Sequence, residues 1–174
     1  MKKLLIASAA AVLTAAAFAA PNPATATFDV KLTVVKACAV TAGAGSDISF
    51  GNQDANPTAN LNATNSISVT CSKGTAYTIG LTPTNNDTTG AGLMSAQNVA
   101  PVTGNTDKVP YQLRKVSATG VEWGNTNTNG ATVGNGVSGT GTGLAQSIPV
   151  YATVPSTNFT PDSYKDTVTV NVRY

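Results

Sequence analysis

The chain has 174 residues, ten Lys/Arg against eight Asp/Glu, no histidine and two cysteines. Without histidine, the commonest metal ligand and the commonest general base are both missing. No basic run offers a seat for a phosphate backbone, which argues against nucleic acid as a partner.

In chain order, the first feature is an export signal. Lys2 and Lys3 precede an apolar, Ala-rich run from Leu4 to Phe18, and Ala17-Phe18-Ala19 fits a small-x-small cleavage site. This predicts a signal peptide over residues 1–19. About fifteen apolar residues are too few for a typical membrane-spanning helix, which takes roughly twenty. A second such site, Ala24-Thr25-Ala26, makes cleavage after residue 26 an alternative. Losing Lys2 and Lys3 leaves eight basic residues against eight acidic ones, a formal charge of zero for the exported chain.

Past the signal the chain reads as strands. In TFDVKLTVVKAC, Phe28, Val30, Leu32 and Val34 fall on every second position, with Thr27, Asp29, Lys31 and Thr33 between them. That is a strand with one apolar face. The same period appears at Ile67, Val69 and Cys71; at Tyr77, Ile79 and Leu81; and at Val109, Tyr111 and Leu113. It returns at Ile148, Val150, Ala152 and Val154, and finally at Val168, Val170, Val172 and Tyr174. Clusters of Asn, Thr, Gly and Pro separate these segments, and no helical period occurs. The pattern predicts an all-β, antiparallel sandwich. Cys38 and Cys71 are the only cysteines of an exported chain and predict one disulfide, which would stabilise the fold by roughly 3–4 kcal/mol through its loop of about 34 residues.

Signals for chemistry are weak. Asp162 and Asp166 are the closest carboxylate pair, but they flank Tyr164 and read as solvated edge charges. The segment Gly134 to Gly139 matches G-x-G-x-x-G in letters only. It opens no helix after a parallel strand and reads as a flexible loop. Trp123 reads as a core or turn-packing aromatic, with a sugar platform as the less favoured use. No catalytic residue, metal site or cofactor is expected. The three N-x-S/T triplets, at Asn62, Asn86 and Asn158, are what chance yields in a chain this rich in Asn and Thr.

Taken together, FDVKLTVVKAC, ISVTCSKGTAYTIGL, YQLRKVSATGVEWGN and IPVYATVP…FTPDSYKDTVTVNVRY resemble the spore coat protein U domain family, the subunit domain of archaic chaperone–usher pili. The likeness covers nearly all of residues 27–174, weakly between Asp87 and Lys108 and after Trp123. It implies an incomplete immunoglobulin-like antiparallel β-sandwich, completed by a donor strand from a neighbouring subunit. Residues 20–36 would then be the N-terminal donor extension, with Phe28, Val30, Leu32 and Val34 filling a neighbour's core. Residues 37–174 would be the pilin domain, and Val168, Val170, Val172 and Tyr174 would face the groove and pair with a chaperone. The implied partners are neighbouring subunits, a periplasmic chaperone and an outer-membrane usher, on the way to a pilus that serves adhesion and biofilm formation. On alternation alone the simpler reading is a complete monomeric sandwich, a secreted or surface-coat protein; the resemblance reverses that preference.

Overall fold

The computed structural model describes residues 22–58, 60–126 and 134–174. The expected signal peptide, residues 1–19, lies outside them. Among the described residues nine strands follow one another: β1 (Cys38–Thr41), β2 (Leu61–Cys71), β3 (Ala76–Pro83), β4 (Ala91–Ala96), β5 (Lys108–Arg114), β6 (Val137–Thr140), β7 (Ala145–Val154), β8 (Tyr164–Lys165) and β9 (Val168–Arg173). A single 3-10 turn, Ala44–Ser46, falls between β1 and β2. The all-β expectation therefore holds.

The strands form two antiparallel sheets. One has the order β1-β2-β7-β5-β4-β8 and the other the order β6-β3-β9. The long ladder between β2 and β7 pairs Leu61 with Val154 and continues to Thr70 opposite Ala145. Because strand side chains alternate faces, one set from each long strand turns inward. Ile67, Val69 and Cys71 of β2, Ile79 and Leu81 of β3, Leu113 of β5, and Val150 and Val154 of β7 form a single buried cluster. Trp123 is wholly buried in the same cluster, and its indole N–H donates to the Ile79 carbonyl at 3.0 Å. Such burial removes the sugar-platform reading.

Two sequence expectations are corrected. Gly134–Gly139 is not simply a flexible loop, since Val137–Thr140 is strand β6, paired with β3. Gly139 stands opposite Tyr77, and a Cβ there would lie 2.4 Å from the tyrosine ring, so the glycine makes room for the ring. Asp162 and Asp166 are not merely solvated edge charges. Asp162 accepts from the backbone N–H of Asn98 (2.9 Å) and Val99 (3.0 Å) and from the Asn105 side-chain amide (3.1 Å), tying two loops together. Burial pushes its carboxyl up, but the donors, led by Val99 and Ser163, outweigh that and hold it below the ordinary aspartate range. Asp166 accepts the Tyr111 hydroxyl at 2.7 Å and the Thr84 hydroxyl, joining the two sheets where the chain enters β9. Burial, then the bond to Asp166, pushes the Tyr111 phenol above its ordinary value.

Candidate functional site: an open seam beside β9

The residues that were expected to border a groove lie on β9, and the register shows how they are placed. Val172, Val170 and Val168 stand opposite Ile79, Leu81 and Pro83 of β3, so all six share one face of the sheet. The three residues on β3 are fully buried. The three valines on β9 are only half-buried, though they pack against the same core. Neither chemistry nor face separates the two sets. The difference is flanking: β3 has β9 on one side and, on the other, β6 as far as Ile79 and then the Gly124 backbone at Leu81, whereas β9 has β3 alone among the described residues. Tyr174, expected on the same face, lies past the end of β9 and is exposed.

The other bank of the seam is β1. Val40 stands opposite Val69 on β2, and the two face the same way. Val69 is wholly buried, yet Val40 is 38% exposed. Cα atoms of β1 and β9 come within 8 Å of one another, but no ladder joins them. The result is an apolar seam in the core between two strands with unused backbone groups. Val40 was not among the expected site residues. The available signal was its place two residues after Cys38, on the same alternation.

The disulfide sets the position of β1. Cys38 and Cys71 are direct cross-strand partners, bonded at 2.02 Å, and Cys71 is buried. Just before β1, the Ser72 N–H donates to the Ala37 carbonyl (2.9 Å) and the Ala37 N–H donates to the Ser72 hydroxyl (3.1 Å). Both contacts lengthen the hold of β2 on a strand of only four residues.

Residues 22–33 belong to a unit of their own, Met1–Thr33. They contain no strand, and Phe28, Val30 and Leu32 are 87–89% exposed. Val34, the first residue of the following unit, is 79% exposed. Four large apolar side chains at strand spacing thus meet water, which is costly unless a partner covers them. Asp29 and Lys31 form an exposed ion pair at 2.9 Å, a contact of little energetic weight.

No group of three or more His, Cys, Asp or Glu gathers as metal ligands would among the described residues. What the site offers is shape and hydrogen-bonding edge, the elements of strand addition.

Comparison with solved structures finds the same fold. The crystal structure of the CsuC-CsuE chaperone–tip adhesion subunit pre-assembly complex, from archaic chaperone-usher Csu pili of Acinetobacter baumannii, aligns with a TM-score of 0.53 and 22% identity. The match covers 82% of this chain and 40% of that one. A chaperone–tip adhesin complex of CFA/I fimbriae biogenesis aligns at a TM-score of 0.44 and 10% identity, covering 78% of this chain and 42% of the other, which is too little shared geometry to support more. This chain therefore spans well under half the length of either. No curated protein matches the chain. The family model for the Spore Coat Protein U domain matches residues 24–171, most of the chain. The chain belongs to the spore coat protein U domain family.

Proposed function

We propose that this protein is a structural subunit of an archaic chaperone–usher pilus that polymerises by donor-strand exchange, for surface adhesion and biofilm formation. The observation that carries the reading is the contrast across one sheet face, with β3 sealed and β9 half open. Family membership supports it, as does the likeness to a fold whose solved example sits in a chaperone–subunit complex. The role requires no catalytic site. The protein is exported under its signal, carried through the periplasm by a chaperone that covers the seam, and passed to an outer-membrane usher. There residues 28–34 of the next copy replace the chaperone.

The energetics suit such an exchange. Burying Phe28, Val30, Leu32 and Val34 yields on the order of 6–12 kcal/mol before ordering costs, and the β9 edge supplies ladder hydrogen bonds. Each copy offers a strand at one place and a seam at another, so the contact is head-to-tail and builds a fibre rather than a closed dimer. A strand paired on both sides needs about 9–10 Å between its neighbours. Since some Cα atoms of β1 and β9 come closer than that, the two strands have to part there as the donor enters.

The test is a gel of fibres or periplasmic extract in SDS, run with and without boiling. Wild type should give a ladder that collapses on heating. A Phe28→Asp/Leu32→Asp variant should give monomer alone, because a buried unpaired carboxylate costs more than the strand returns. Monomer in every lane would instead favour a complete, monomeric coat protein.

A further inference from the structure

The outer face of the three-stranded sheet carries a polar brace that reaches the seam strand from the far side. Residues 123–125 continue the flank of β3 that β6 covers only as far as Ile79. There the Leu81 N–H donates to the Gly124 carbonyl at 3.0 Å, and the Asn125 N–H is itself held by the Thr88 carbonyl at 2.8 Å. From this anchored backbone the Asn125 side chain lies over Gly80. A Cβ at residue 80 would be 2.2 Å from Asn125 Oδ1, so only glycine leaves the space.

Across that space Asn125 meets β9. Its Oδ1 accepts from Arg173 Nη1 at 2.8 Å. Its Nδ2 donates to Thr82 Oγ1 at 2.9 Å, and the same oxygen accepts from Asn171 Nδ2 at 3.3 Å. Arg173 and Asn171 are the cross-strand partners of Thr78 and Gly80. One side chain thus links β9 to a segment on the opposite flank of β3, over the whole width of that strand.

We propose that Asn125 is a positioning residue: it holds β9 in register while the seam beside it is empty, so the free edge stands ready as a template for the incoming strand of another copy. This rests on the donor-strand reading above. A strand paired on one flank, with its apolar face half covered, is the kind of element that opens locally. Preorganising it lowers the ordering cost that the arriving strand has to meet. Once the donor is in place, β9 has ladders on both flanks and buried valines, and the brace becomes redundant. Its effect is therefore confined to the empty state.

The experiment uses the full exported chain carrying Phe28→Asp/Leu32→Asp as parent, so that it cannot donate its own strand. A synthetic peptide of residues 24–36 supplies the donor. Amide exchange is followed strand by strand, and peptide affinity is measured, for the parent, Asn125→Leu and Asn125→Asp. The leucine occupies the space over Gly80 without hydrogen bonds; the aspartate keeps the acceptor for Arg173. Without peptide, Asn125→Leu should speed exchange across Val168–Arg173 about tenfold while leaving β7 unchanged. Its affinity for the peptide should fall about tenfold. Saturating peptide should restore β9 protection to the parent level, and Asn125→Asp should track the parent throughout. Equal exchange and affinity in Asn125→Leu and the parent would overturn the proposal, as would faster exchange spread over β7 as well. If the peptide binds the parent without protecting β9, or does not bind it, the donor-strand reading fails and the brace falls with it.

Discussion

β3 and β9 are neighbours in one sheet, share a core face and present side chains of similar kind. Yet Ile79, Leu81 and Pro83 are sealed, while Val172, Val170 and Val168 opposite them are half open. Burial in a sheet is a property of position, and the missing term for β9 is a second neighbour. A side chain on β3 contributes its full burial in any state of the molecule. One on β9 contributes only part of its burial in the chain alone, and on the donor-strand proposal it gains the rest when another strand arrives.

That contrast can be broken by substitution. Leu81→Ala leaves a cavity in a closed core and should destabilise by about 3–5 kcal/mol, equally with and without a donor, as read by chemical denaturation. Cys38→Ser should cost roughly 3–4 kcal/mol by releasing the short β1 from β2. It should lower the yield of chaperone-bound subunit; unchanged yield and unchanged melting would count against the disulfide as the tether of β1. Val170→Ala should cost only about 1 kcal/mol in the unfilled chain and roughly twice that in fibres, since on the donor-strand proposal the second half of its burial comes from a neighbour. Equal costs in both states would mean that β9 is already complete.

Acid should have the smallest effect and leave the contrast intact. The Thr89 hydroxyl holds the Asp87 carboxyl below its ordinary value, the Thr160 N–H does the same for Asp107, and Asp162 is held down by its N–H donors against burial. A depressed folded value means stability that is present above the unfolded aspartate value, near 4, and is lost as pH falls through the folded values. The melting temperature should therefore drop by a few degrees between about pH 5 and pH 2, with the loops at 97–107 and 159–163 loosening first. A flat profile would show that these hydrogen bonds carry no net stability. The seam valines do not titrate, so β9 should stay half open throughout.

Much of the fold was legible because long strands buried on one face carry the period-2 signal. β3, β5 and β7 begin within three residues of where the alternation starts, while β2 begins at Leu61, well before the alternation at Ile67. β4 was hidden because Gly92 is small for a packing reason: a Cβ there would be 2.0 Å from the Tyr111 ring, so the apolar face of AGLMSA is partly borrowed from β5. β6 has one apolar residue, Val137, and its glycine serves Tyr77. β8 is two residues long and exists through pairing with Ser95 and Ala96. Asp162 and Asp166 were misread because their donors come from residues more than fifty positions away in sequence.

For the site, alternation alone identified both Phe28–Val34 and Val168–Val172 as apolar faces, since side-chain direction along a strand is set by local geometry. The two cysteines and their pairing were equally open to inference, because a chain with an expected export signal and only two thiols has one simple use for them. Alternation could not say which face would be covered. That depends on how many strands flank each one, a count made by nonlocal pairing. Only the tertiary structure decided that β3 would be enclosed, that β9 and β1 would leave a seam between them, and that Asn125 would reach β9 across Gly80.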